Sequence, residues 1–297
     1  MANTFSSSLV TDVATKAAIL TLQSRLAPIK NFSTDFSSDV VNPLRKLQVG
    51  VATSAAAVVT SPTSFEAQGT TLTNTPVAMT HYSAQFGLSS AQLNQGFSLE
   101  RIMAINLRSL ANGLIDAALS PISSANYGDA VYSTAISTAT GGVLGNDLIT
   151  KGLPALWSAL KDGTSRNLVL DGSYYSYLLP QSGFSLTPGA GAYGFDTVNF
   201  NNRWNGVGTV SVSSVAKTIK GFVASNEAIA VASALPYIDP AVANLLQMSE
   251  TIEIPDLGLA VQFNVHGSTS SRSLQASFDV VFGAAVADTS ALKIIAA

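Results

Sequence analysis

The chain is 297 residues long, carries a formal net charge of −3, and contains two histidines and no cysteine. Hydrophobic residues make up 47%, enough for a packed core, while charged residues make up 11%, against about 25% in an ordinary soluble domain. Fifteen basic residues against eighteen acidic ones exclude a nucleic-acid binder that works through surplus cation, and the missing cysteines exclude a disulfide framework or a cysteine-ligated zinc site.

Thirty-eight serines and 25 threonines supply hydroxyls where other proteins carry charge. Free monomers keep apart through charge, so this composition suits a chain that lives in a neutral assembly. No basic segment precedes the first apolar residues, and Asp12 and Lys16 interrupt the only candidate leader. No uninterrupted apolar run reaches the roughly 18 residues of a spanning helix. The chain reads as soluble and cytoplasmic.

Thr11 and Asp12 cap a helix expected to run to about Arg25, with Val13, Ala17, Leu20 and Ser24 on its inner face and Pro28 as its stop. Residues 29–43 read as an extended arm. Lys46 to Val51 alternates polar and apolar, a strand signal. Val77 to Tyr82 reads as the returning strand, after a middle rich in Ala, Thr and Ser. A two-stranded excursion of this length is marginal by itself, and no neighbouring segment supplies a support.

The clearest helix lies within residues 89–120. Ser98 is a good N-cap, and Phe97 and Ile102 can staple around it. Leu99, Met103, Leu107, Leu110 and Leu114 then recur every three or four residues, and Pro121 ends the run. Beyond a small-residue linker, Leu148 to Leu160 reads as a helix bent or delayed by Pro154. Strands are expected at 166–170, 195–200, 209–215 and 221–223. Ser173 to Leu179 reads as a short helix, and Asn226 caps a helix to Leu235. Residues 251–254, 259–265 and 275–282 read as closing strands.

Signals for chemistry are sparse. Gly189, Gly191 and Gly194 match a dinucleotide-binding glycine pattern, but a strand-like Phe195 to Val198 follows where a helix is required. His81 and His266 have different neighbours, and no serine sits in a nucleophile elbow. Glu250, Glu253 and Asp256 offer carboxylates to a hard cation, yet no calcium-loop spacing surrounds them. Trp204 beside Arg203 can stack on a base, although an aromatic anchor is the commoner use. No catalytic residue, cofactor site or metal site is expected, which favours a structural role.

The order of elements resembles the major capsid protein of tailed bacteriophages, the Hong Kong 97-type fold. Four stretches carry the likeness. PVAMTHYSAQFGLSSAQ (76–92) is similar to the strand that returns from the family's extended loop and leads to its spine helix. RNLVLDGSYYSYLL (166–179) resembles a strand-to-helix step. KGFVASNEAIAVASALP (220–236) resembles a Gly-Phe strand followed by an alanine-rich helix, and DVVFGAAVAD (279–288) the closing strand.

The resemblance implies an α+β fold with an N-terminal arm at 1–43 and an extended two-stranded loop at 44–80. A peripheral domain at 81–120 and 251–297 would hold the spine helix and closing strands, and an axial α/β domain would fill 121–250. It implies a non-enzymatic subunit without cofactors that builds the hexamers and pentamers of an icosahedral shell around double-stranded DNA, with no sequence-specific binding. Its partners would be itself, a separate scaffolding protein or none, a portal and decoration proteins, and no membrane. The place would be the virion, assembled in the host cytoplasm. The unsupported loop would then rest on the next subunit.

Arg45, Lys46, Glu66, Arg101 and Arg108 are the candidate contacts between copies. Glu66, the only acid between Asp39 and Glu100, would meet Arg101 or Arg108 of a neighbour. Some family members join a loop lysine covalently to a neighbour's asparagine, but here no lysine lies between Lys46 and Thr80. The rival readings are an encapsulin-type compartment shell, a secreted β-rich surface protein and a serine hydrolase.

Overall fold

The computed structural model describes residues 7–35, 37, 47–54, 71–88, 99–133, 147–160, 165–170, 197–200, 211–212, 217–239, 245–254, 257–268 and 273–296. The expected helix at 173–179, the glycine loop at 181–194, Trp204, the Ser98 cap with its Phe97 staple, and Asp256 fall outside them.

Helix α1 spans Ser7–Leu26. Ala14, Ala18, Leu22 and Leu26 are buried at every fourth position, one line along the helix. The face expected through Val13, Ala17, Leu20 and Ser24 is therefore rotated. Leu20 is 60% exposed, because the small alanines are what let α1 lie close against its neighbour. A 3-10 turn at Ala27–Asn31, opened by Pro28, leads into β1 (Ser33–Asp35), so the start of the expected arm is tied into a sheet.

Strands β2 (Leu47–Ser54) and β3 (Thr71–Val77) pair antiparallel and form a two-stranded sheet of their own. The expected returning strand at 77–82 is broken. Ala78 and Met79 separate β3 from β4 (Thr80–Leu88), and β4 joins a different sheet.

Helix α2 (Leu99–Leu119) buries Met103, Leu107, Leu110, Ala111, Leu114 and Ala118, and Leu99 packs half-buried at the margin of the same core. This stripe follows the 3.6-residue period, and each fully buried leucine contributes about 1.5–3 kcal/mol. Arg25 Nη1 donates to Asn112 Oδ1 at 3.0 Å, pinning α1 to α2. Among the described helices, α2 is the one long and apolar enough to cross a membrane by length and composition. Its apolar side is instead packed against α1, β4 and a closing strand. The short α3 (Ser124–Tyr127) and β5 (Tyr132–Ser133) follow. Helix α4 (Leu153–Ala159) begins late, after a π-helical turn at Leu148–Gly152, with Pro154 in its first turn.

The remaining strands are β6 (Asn167–Leu170), β7 (Thr197–Phe200), β8 (Ser211–Val212), β9 (Lys217–Ala224), β10 (Ile229–Ala234), β11 (Leu246–Ile254), β12 (Leu259–Ser268), β13 (Ser273–Val286) and β14 (Leu292–Ala296). The first large sheet runs β1-β10-β13-β12-β11, with β4 also on β13. The second runs β5-β14-β9-β6-β7, with β8 on β9.

Residues 229–234 thus form a strand where a helix from Asn226 to Leu235 was expected. The Asn226 cap and the alanines favour a helix locally, by a few tenths of a kcal/mol per residue. However, Ile229 to Ser233 are all buried, with β1 on one edge and β13 on the other. A strand buried on both faces reads as an unbroken apolar run, which periodicity cannot tell from a helix.

Two strands pair across the expected division of the chain. β10 lies in the first sheet and β14 in the second. The crossing segments bind each other: Ser225 N–H donates to Ala291 O at 2.9 Å and Ala287 N–H to Ala228 O at 3.0 Å. Tyr127 Oη seals this crossing by donating to Ala228 O at 2.7 Å. Burial, and then the charge of Asp288, push the Tyr127 phenol well above its ordinary range.

One core serves both sheets. Phe278 on β13 stacks on Phe86 (centroids 5.9 Å) and meets Phe263 (4.8 Å), while Phe32, just before β1, meets Phe222 of β9 edge-on at 5.3 Å.

Candidate functional site

The hairpin β2–β3 stands apart from both large sheets. Among the described residues it pairs with no other strand of its own chain. Its described contact with the body is at its root, where β3 meets β10 and β13. There Val77 is fully buried against Ala230, Ala232 and Ala287, with Met79 and Ala285 packed beside them.

Below the root, the first sheet shows two different faces. Tyr82, Ala84, Phe86, Ala276, Phe278 and Val280 alternate toward the helices. The opposite face carries His81, Ser83, Gln85, Asn264, Ser277 and Asp279, which share registers across β4, β13 and β12. Asp279 is 6% exposed. Its Oδ2 accepts from Asn264 Nδ2 at 2.9 Å and Ser277 Oγ at 2.5 Å. Its Oδ1 lies 3.2 Å from His81 Nε2. Ser249 Oγ donates to Asn264 Oδ1 at 2.8 Å and accepts from Gln262 Nε2 at 3.0 Å. The network stitches four strands together, from β11 to β4.

That network resembles a catalytic constellation only in composition. Ser277 is hydrogen-bonded to the carboxylate, not to the imidazole, so His81 is not placed to take its proton as the histidine of a triad does. His266 meets Gln275 Oε1 at 2.9 Å and joins no acid there. Both histidines therefore sit on strands and bond across them. Glu250 and Glu253 occupy opposite faces of β11, since three residues separate them on a strand. No group of three metal-ligating side chains gathers among the described residues. A cavity of about 390 Å³ opens between the end of α1, β1 and β10; among the described residues Lys30 and Asp35 supply the charges in its lining. At its rim Gly258 has φ +64°, and a Cβ there would lie against Asp35 Oδ2, so the turn before β12 requires glycine.

Of the five candidate contacts, Arg101 and Arg108 stand exposed on α2, two turns apart, with Ile105 between them 56% exposed. Arg45, Lys46 and Glu66 lie outside the described residues. Met103, Leu107, Leu110 and Leu114 line the inner face of α2. Sequence reasoning missed the Asp279 network; its signal is the alternation of Gln275, Ser277 and Asp279 with Ala276, Phe278 and Val280.

The sequence matches no protein-family model, and no curated protein matches it. Solved structures match across most of the chain. The mature capsid of bacteriophage PhiM1 aligns at TM-score 0.58 and 10% identity, covering 90% of this chain and 86% of that one. A native GTA particle capsid aligns at 0.54 and 12%, covering 92% and 90%. The chain has the phage major capsid protein fold. A virus-like particle from Pyrococcus furiosus shares it at TM-score 0.57 and 10% identity, over 96% of this chain and 98% of that one. The mixed helices and sheets expected from the sequence are those of Hong Kong 97-like capsids.

Proposed function

We propose that the chain is a major capsid protein, a non-enzymatic subunit that closes, through hexamers and pentamers, into an icosahedral shell around double-stranded DNA. The observation that carries this reading is the β2–β3 hairpin, a two-stranded sheet with no strand of its own chain beside it among the described residues. Isolated hairpins are at best marginally stable in water, so a neighbouring copy is the natural support. The capsid fold and the 11% charged residues agree with this.

In this reading residues 1–43 are the arm, 44–80 the extended loop, 81–120 and 251–297 the peripheral domain and 121–250 the axial domain, with β10 and β14 crossing between the last two. Arg101 and Arg108 meet an acid of the next copy, Glu66 being the candidate. Arg45 and Lys46, at the loop's base, contact the same neighbour. A separate scaffold, a portal and decoration proteins are the expected partners, and the finished product is the virion.

An encapsulin-type shell is the second reading, since the fold is shared by a virus-like particle. Particle content separates the two. Shells purified from the producing cell after nuclease treatment should contain protected duplex DNA. An enzyme cargo without DNA would assign the chain to the compartment class instead.

A further inference from the structure

The root of the hairpin holds a feature that neither the fold nor the shell reading requires. The chain leaves β4 at Thr80 and passes through Met79 and Ala78 over the first sheet, away from the helix side. It crosses where the sheet is paved with small residues: Ala230 and Ala232 on β10, Gly283 and Ala285 on β13. A Cβ at Gly283 would lie 2.5 Å from Ala78 O and 2.9 Å from Val77 Cγ1. Gly283 has no left-handed backbone to explain it, since the positive φ values among the described glycines belong to Gly128 and Gly258. It sits in an ordinary strand, paired with Ala232. Glycine is needed there for space alone.

We propose that Gly283 and the surrounding alanines form a seat into which Val77 plugs, and that this seat fixes the direction in which the hairpin leaves the subunit. Three observations converge on it. Val77 is fully buried although the hairpin it ends pairs with nothing else described. The peptide of Ala78 lies directly on Gly283. Three residues further on, His81 is held by Asp279, whose carboxylate is fixed by Asn264 and Ser277. The hairpin is thus clamped on both sides of a two-residue link. Resting on the shell reading, the consequence is that a change of one methyl group at the seat redirects the hairpin and changes which part of the next copy it reaches, and so the curvature of the assembly.

The test is Gly283→Ala beside Val77→Ala in the full chain, read by hydrogen–deuterium exchange and by particle diameter in negative stain. Gly283→Ala should raise exchange at the amides of 71–77 by about tenfold while leaving 103–118 in α2 unchanged, and should give shells of altered or mixed diameter. Val77→Ala should loosen the same amides, and it decides the matter if Gly283→Ala does not fold. Unchanged exchange at 71–77 with shells of normal diameter in the folded variants overturns the seat. If the unaltered chain never forms shells while the variants still loosen 71–77, the seat stands and the capsid reading falls.

Discussion

Leu107 and Ile105 lie two residues apart on α2, and the structure gives them opposite fates: Leu107 is fully buried and Ile105 is 56% exposed. Leu107 points into the core that α2 shares with α1, β4 and β13. Leu107→Ala removes buried methyl groups and leaves a cavity in that packed core, so it should cost about 2–5 kcal/mol. Ile105→Ala removes side-chain atoms already half in water and should cost no more than about 0.5 kcal/mol. For a chain of this size each kcal/mol moves the melting midpoint by about 2–4 °C. Leu107→Ala should therefore melt at least about 4 °C lower, and Ile105→Ala within about 2 °C of the parent. Circular dichroism at 222 nm on both variants, under identical buffer and concentration, makes the comparison. Equal losses at the two positions, or a larger loss at Ile105, would show that the helix is rotated from the orientation described and that its outer face is also a core face.

Leu107→Asp buries an unpaired carboxylate, a cost of several kcal/mol against a total stability of about 5–15, and should give insoluble protein on expression. Asp279→Ala strands the donors of Asn264 and Ser277 and should cost at least about 1–3 kcal/mol, measured by urea midpoint. Tyr127→Phe removes the bond to Ala228 O, worth about 0.5–1.5 kcal/mol near neutral pH. Because folding raises the phenol above its ordinary value of 10.0, its contribution is complete below pH 10 and is lost as pH rises further. The variant's deficit should therefore shrink in melts taken above pH 10. Arg101→Glu with Arg108→Glu, both on exposed positions, should leave the melting midpoint within about 2 °C and reduce particle number in micrographs. In the shell reading, particles boiled in detergent should run as single chains near 30.6 kDa; a covalent ladder would mean that a lysine outside 47–80 is joined to a neighbour.

Where one face of an element is apolar and the other polar, the sequence was sufficient. The stripe from Leu99 to Leu114 locates the buried side of α2, and the alternation in 275–282 locates β13. Legibility failed where packing replaced pattern. Ala14 and Ala18 carry little hydrophobic signal, yet they form the seam of α1, and the larger Leu20 faces away from it. Ile229 to Ser233 is buried on both faces, so it shows no period at all, and its alanines pointed to the wrong element. The seat at Gly283 and the contact of His81 with Asp279, 198 residues apart in the chain, depend on β4 and β13 meeting in one register. No local pattern encodes that meeting. The outgoing strand of the hairpin was legible in the alternation of 46–51, whereas its return, expected at 77–82, lies at Thr71–Val77, where the Thr-rich composition showed no apolar face to mark a strand.

The most direct test of the central claim is sedimentation velocity with negative-stain microscopy on the purified chain over a hundred-fold range of concentration. The account predicts capsomers and closed shells of uniform diameter. A single species near 30.6 kDa under every condition would contradict it.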